Sequence, residues 1–189
     1  MEIGLYFGSF NPIHIGHLII ASYAKNTTSL EQVWLVVSPQ NPLKPSASLL
    51  NEYQRLHLVN LAIEDDANLK ASDVEFHLPK PSYTVHTLAY LSEKYPQHTF
   101  SIIMGSDSFT NLPKWKNYQH IINQHKIYVF ERPGFDITDT LGANIEMIDA
   151  PLLEISSTNI RNFVKKSIPI KYLVVDKVAK EIEISRYYK

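Results

Sequence analysis

The 189-residue chain contains no cysteine and only six glycines, and its 18 lysines and arginines against 19 aspartates and glutamates leave a net charge of −1 with histidine neutral. Each shortage excludes something. Without cysteine there is neither a disulfide framework nor a thiolate metal site, and a reducing compartment is compatible with the sequence. Without a surplus of one charge there is no overall field to draw in nucleic acid or an anionic membrane surface, so neither is expected as a partner. Any bound anion must therefore be held by local cations and backbone donors. Apolar runs stay well short of the roughly 20 residues that a membrane-spanning helix needs. The N-terminal stretch MEIGLYFGSF lacks the basic flank and long apolar core of a signal peptide. A cytoplasmic protein is the expectation. No G-x-G-x-x-G follows any strand-like segment, which removes the dinucleotide fingerprint of dehydrogenases.

What is present suits a packed core: 44% of residues are hydrophobic and 11% aromatic. Strand-like and helix-like segments alternate. EIGLYF (2–7), QVWLVVS (32–38), LKASDVEF (69–76), TFSIIMG (99–105), KIYVFERPG (126–134) and NIEMIDA (144–150) read as strands. LIIASYAKN (18–26), EYQRLHLVNLAIE (52–64), TVHTLAYLSEKY (84–95), SSTNIRNFVKK (156–166) and VVDKVAKEIEISRYY (174–188) read as helices. The pattern predicts one α/β domain over 1–189, with a doubly wound parallel sheet, helices on both faces and a helical C-terminal part from about 156. The near-continuous apolar strands agree with burial on both sides. Ligands of such sheets bind beyond the carboxyl ends of the strands. The Pro/Ser-rich stretch 38–51 is a long loop for so compact a chain, and such loops are often functional.

YFGSFNPIHIGH (6–17) places a turn signal, Asn11-Pro12, between the first strand and a helix that starts near His14. That helix N-terminus aims free N–H groups at the carboxyl edge of the sheet, an anion site made of backbone alone. His14 and His17 share a face one turn apart, and Gly16 between them removes a side chain where a ligand would lie close. Three readings stay open: histidines that merely decorate a helix start, half of a metal site, or a loop that receives phosphate. Zinc is disfavoured, since His-x-x-His supplies only two ligands and no cysteine or nearby acidic partner completes a set. ISSTNIR (155–161) opens another helix with Ser156, Ser157 and Thr158 as cap and first-turn residues and Arg161 one turn on. It is either an ordinary capped helix or a grip for a polyphosphate, for which Arg supplies forked, permanently charged donors.

GSFNPIHIGH near one end and ISSTNIR near the other together resemble the paired signatures of the HxGH nucleotidyltransferase superfamily, whose members have a Rossmann-like fold. Within it the sequence is most similar to the bacterial nicotinate-nucleotide adenylyltransferases. SYTVHTL (82–88), IMGSDSFTNLPKWKNY (103–118) and NPLKP with YQRLHLV carry the narrower match. One departure is that Phe7 stands where many members have a glycine. A side chain at the last strand position can turn into the core.

The resemblance implies transfer of the adenylyl group of ATP to nicotinate mononucleotide, with Mg²⁺ held mainly by the substrate phosphates and no protein metal site. It implies that His14, His17 and Arg161 are catalytic, with His17 at the α-phosphate. Gly8, Ser9, Phe10, Gly16, Gly105, Asp107, Ser157 and Thr158 would bind ATP. In that set Ser9 and Phe10 act through backbone donors and Asp107 accepts from the ribose diol. Tyr83 and Thr84 would read the ring carboxylate, Trp115 would stack on the pyridine, and Lys44 would meet the acceptor phosphate. Plainer readings remain for some of these. Asp107 can be a helix cap, Trp115 core, Lys44 a solvated lysine, and Arg55 either a phosphate ligand or a partner of Glu52. His57, His77, His86, His98, His120 and His125 read as surface or internally satisfied histidines. Rival acceptors are nicotinamide mononucleotide and phosphopantetheine, a cytidylyl donor is the rival to ATP, and the rival class is a non-catalytic nucleotide-binding module. A homo-oligomer is compatible with the sequence.

Overall fold

The computed structural model describes residues 1–40 and 49–189. Strands and helices alternate as β1 (Glu2–Gly8), α1 (Ile15–Thr27), β2 (Gln32–Val37), α2 (Glu52–Ile63), β3 (Leu69–Ser72), α3 (Thr84–Lys94), β4 (Thr99–Gly105), α4 (Ser106–Thr110), α5 (Tyr118–Gln124), β5 (Ile127–Phe130), β6 (Ile145–Ile148), α6 (Ser157–Lys165) and α7 (Asp176–Ile184). The strands form one sheet in the order β3-β2-β1-β4-β5-β6, and every neighbouring pair is parallel. The chain winds from β1 out to β3, returns to the middle, and winds from β4 out to β6. The reversal leaves a crevice between the carboxyl ends of β1 and β4, the switch point of a doubly wound Rossmann-like sheet.

Strand periodicity divides the core into two layers. Val33, Leu35 and Val37 of β2 join Tyr6, Ile103 and Tyr128 on one face, beneath Ala21 and Ala24 of α1, Leu58 and Val59 of α2, Ile160 of α6 and Val178 of α7. Trp34 and Val36 join Ile3, Leu5, Ile102 and Val129 on the other, beneath Leu88 and Leu91 of α3 and Ile121 of α5. Burial on both faces is why these strands read as continuous apolar runs.

Two local expectations need correction. The strand expected over 69–76 stops at Ser72, opposite Val36 of β2, where the chain turns away: Val74–His77 forms a 3-10 turn, and the Phe76 N–H donates to the Asp73 carbonyl. The strand expected to run through 134 stops at Phe130, opposite Gly105 at the end of β4, and Gly134 turns the chain with φ of 82°. Between β4 and β5, α5 starts after Asn117, which is in a left-handed conformation. Among the described residues, no helix is long and apolar enough to cross a membrane.

Candidate active site

β1 delivers the chain to the switch point at Gly8. Phe10 takes a left-handed φ of 44°, and its ring folds back under Gly8, where a Cβ would come within 2.7 Å of Phe10 Cζ. The Phe10 side chain is thus core, and the residue also borders the crevice. Phe7 is half-buried against the second core layer and also borders the crevice.

His14 sits at the N-cap of α1 in extended backbone conformation, and its ring stacks on His17 with centroids 3.6 Å apart and planes inclined by 22°. The His14 N–H donates to His17 Nδ1 at 3.2 Å, which places the His17 proton on Nε2. His14 is only 5% exposed, and burial, reinforced by the nearby Arg132 guanidinium, lowers its pKa from 6.5 to about 4. It is a neutral imidazole at physiological pH. Gly16 serves this stack: a Cβ there would lie 3.1 Å from His14 Nδ1, so the glycine makes room for the imidazole, a nearer neighbour than the ligand expected from sequence.

A stability prediction follows from the His14 shift. The unfolded chain takes up a proton here near pH 6.5, the folded chain only near 4. Between those values the unfolded state binds more protons, so this group's contribution to stability declines as pH falls from about 6.5 to about 4. His14→Gln, which carries no titrating ring, should show a shallower loss over that window in chemical denaturation. An unchanged slope would contradict the assignment.

The two signature segments, far apart in the chain, are joined by hydrogen bonds. Ser157 Oγ donates to the Pro12 carbonyl at 2.8 Å, and Arg161 Nη1 donates to the Asn11 carbonyl at 2.7 Å. Arg161 Nη2 reaches Thr158 Oγ1 at 3.2 Å, and Ser156 caps α6 by accepting from the Asn159 N–H. The Ser157 proton is thereby committed to the loop after β1. Arg55 takes neither role expected of it. Its side chain is fully buried and donates to the carbonyls of Ser9, Ser38, Pro39 and Leu50, while Glu52 pairs with Lys80. It is a cross-brace behind the loop that carries Ser9.

These elements enclose an open cleft of about 1080 Å³. Gly8, Ser9, Phe10, His17, Ser157, Thr158 and Arg161 line it from the β1 side; Gly105 and Asp107 line it from β4. A Cβ at Gly105 would run into the Asp107 carboxylate and lie 3.1 Å from Phe130 and Arg132, so the strand end is cut close. Asp107 is in the first turn of α4 and the cap position is Gly105, which sets aside the capping reading. Tyr83 at the N-cap of α3, Thr84 and Trp115 complete the wall, and Lys116 Nζ stands 4.6 Å over the Tyr83 ring. Trp115 is half-buried, with one side on the second core layer. His14 and Gly16 border a separate, smaller slot, which His17 shares and which Ile20, Pro133, Leu152 and Ile155 make apolar. Lys44 lies outside the described residues.

Three site residues escape a sequence reading. Arg132 borders both cavities from just beyond the carboxyl end of β5, and the strand-end rule would have flagged it had that strand been ended correctly. Asn11 holds the loop through its side chain, accepting from the Leu50 N–H at 3.1 Å. Glu75, on the 3-10 turn, is a buried carboxyl in the wall beside Ser82 and Thr84; a strand assignment hid it.

A doubly wound sheet with imidazole, backbone and guanidinium donors gathered at its switch point is the framework of a nucleotidyltransferase, and the family model for cytidylyltransferase-like proteins matches residues 5–163. Over its whole length the chain is 54% identical to a probable nicotinate-nucleotide adenylyltransferase of Flavobacterium psychrophilum, covering all of that relative, and 50% identical to one of Cytophaga hutchinsonii, covering 98% of it. The chain belongs to the nicotinate-nucleotide adenylyltransferase family. In fold it is similar to the Plasmodium falciparum nicotinic acid mononucleotide adenylyltransferase complexed with NaAD, with a TM-score of 0.84 at 22% identity over 99% of this chain and 97% of that one. A second structure, of a putative nicotinate-nucleotide adenylyltransferase from Vibrio parahaemolyticus, gives 0.73 at 21% identity over 99% and 94%.

Proposed function

We infer that the protein transfers the adenylyl group of ATP to nicotinate mononucleotide, yielding nicotinate adenine dinucleotide and pyrophosphate in NAD biosynthesis. The observation that carries this reading is one cleft with two kinds of anion site: the His17–Arg161 loop beneath β1, and the uncapped N-terminus of α3 beside Trp115.

The acceptor phosphate oxygen attacks the α-phosphorus and the bond to pyrophosphate breaks. The nucleophile is already an anion at neutral pH, so no general base is required; the protein must align two repelling anions and stabilise charge on the transferring and leaving groups. His17 Nε2–H donates to the α-phosphate, with the main-chain N–H groups of Ser9 and Phe10 close by. Arg161 and Thr158 meet the β- and γ-phosphates, and Ser157 holds the loop that presents them. The donors at this loop are imidazole, N–H and guanidinium, which suit phosphate oxygens. Mg²⁺ enters with the substrate as Mg–ATP, coordinated by phosphate oxygens and water. Asp107 accepts from the ribose hydroxyls. Trp115 stacks on the pyridine, and the first N–H groups of α3 read its carboxylate. Both substrates are multiply charged and do not cross a bilayer unaided, which fits a cytoplasmic setting.

With α-labelled ATP, label should appear in a dinucleotide with the acceptor; with γ-labelled ATP, it should appear in pyrophosphate. Label from the γ position in the acceptor would mark a kinase and overturn the reading. Trp115→Ala should raise the KM for the acceptor by about tenfold, the worth of one aromatic stack, and leave the KM for ATP nearly unchanged. Equal effects on both substrates would remove Trp115 from the acceptor end.

A further inference from the structure

α3 begins with a bare N-terminus. No acidic residue lies in its first turn, and Tyr83 makes no side-chain cap bond. The first intrahelical bonds run from the N–H groups of His86 and Thr87 to the Tyr83 carbonyl, leaving those of Thr84 and Val85 ahead of the ladder. Alongside this turn lies Glu75, 2% exposed, whose Oε1 accepts from Thr87 Oγ1 at 3.0 Å while its buried Oε2 has no hydrogen-bond partner. The Ser82 hydroxyl, 7% exposed, is buried next to the helix start and stands near that carboxyl without completing a hydrogen bond. An ionised carboxylate in that position would act as the anion at the helix N-terminus and compete with any anionic ligand for the same positive end.

Building on the proposed function, we propose that Glu75 is a specificity-determining positioning residue: held as a neutral carboxylic acid beside the first turn of α3, it keeps that helix end free to receive the ring carboxylate of the acceptor, and so favours the acid over the amide. As a neutral acid its Oε2–H is a donor in a wall where, as an ion, both oxygens could only accept. The surroundings support the neutral form. Burial raises the Glu75 pKa, opposed by hydroxyls of Ser38 after β2, Thr87 on α3 and Ser82 before it, and none of these is a cation. The neighbouring charged groups are engaged elsewhere: His77 pairs with Asp73, Lys80 with Glu52, His86 faces the Tyr83 ring, and Lys116 lies over that ring.

Two measurements on the full-length protein test this. Infrared difference spectra of substrate-free wild type against Glu75→Gln should show, at neutral pH, a protonated-carboxyl stretch that the variant lacks. The ratio of kcat/KM for nicotinate mononucleotide over nicotinamide mononucleotide should then track that band as pH rises. Where the band persists the ratio holds; where it disappears the ratio falls about tenfold, the scale of a charge at a helix end. The KM for ATP stays level throughout. Glu75→Gln, which keeps a donor and cannot ionise, should hold its ratio at every pH. No band at neutral pH, a ratio that departs from the band, or the same fall in Glu75→Gln would overturn the role of Glu75. Turnover of neither acceptor would overturn the proposed function instead, while the infrared result would still report the state of Glu75.

Discussion

His17→Ala should lower kcat by about 100- to 1000-fold, the usual consequence of removing one preorganised donor from developing negative charge. The structure explains why this histidine rather than its neighbour is expected to dominate. His14 is buried, neutral and turned against Gly16, whereas His17 borders the open cleft with its proton fixed on Nε2 by the His14 N–H. The protein should remain folded, because the layer beneath His17 is built on many strand and helix residues that do not depend on its ring. His14→Ala should act differently, through loss of the stack that orients His17, and His14→Gln should retain more turnover than His17→Gln. Steady-state pyrophosphate release, with circular dichroism as the check on folding, decides the matter. Near-normal turnover in folded His17→Ala would remove the loop from catalysis.

The largest stability effect is expected at Arg55. Arg55→Leu leaves the carbonyls of Ser9, Ser38, Pro39 and Leu50 without their donor in a buried place. Unsatisfied buried acceptors cost about 1–3 kcal/mol each, and partial relaxation toward water limits the sum to about 4 kcal/mol. For a chain of this size that corresponds to a fall of roughly 10 °C in Tm. Activity at low temperature should fall as well, since two of the freed carbonyls flank the crevice. Arg55→Lys should recover only part of the loss, because one ammonium cannot span four acceptors in a planar fork. A Tm within a degree or two of wild type for Arg55→Leu would show that the loop is held by something else.

The contrast between these two residues shows what could be read from sequence. The place of His17 at the cleft was legible because it depends on local order: a strand, a glycine, a turn and a helix start in a dozen residues. The sheet was legible for the same reason, since β2 and β4 announce themselves as apolar runs bounded by Pro39 and Gly105. Arg55 was not. Its partners are main-chain carbonyls of loops that carry no sequence signal, so a pairing with Glu52 on the same helix was the natural expectation. Glu75 and Arg132 were hidden by strand ends. β3 stops at Ser72, where a 3-10 turn takes over although β2 runs one residue further, and β5 stops opposite Gly105, the last residue of β4. Tertiary limits of this kind leave no mark on local periodicity. Gly16 shows a subtler case: the need for a small residue was legible, but the neighbour it accommodates, His14, was not.

The most direct test of the account is pyrophosphate release from Mg–ATP with nicotinate mononucleotide, nicotinamide mononucleotide and phosphopantetheine offered separately to the same protein. The predicted result is turnover with all the signs of a strong preference for the acid, because the bare N-terminus of α3 and the Trp115 wall suit an anionic aromatic ring. Preference for phosphopantetheine, or no release with any of the three from a folded protein that binds ATP, would contradict it.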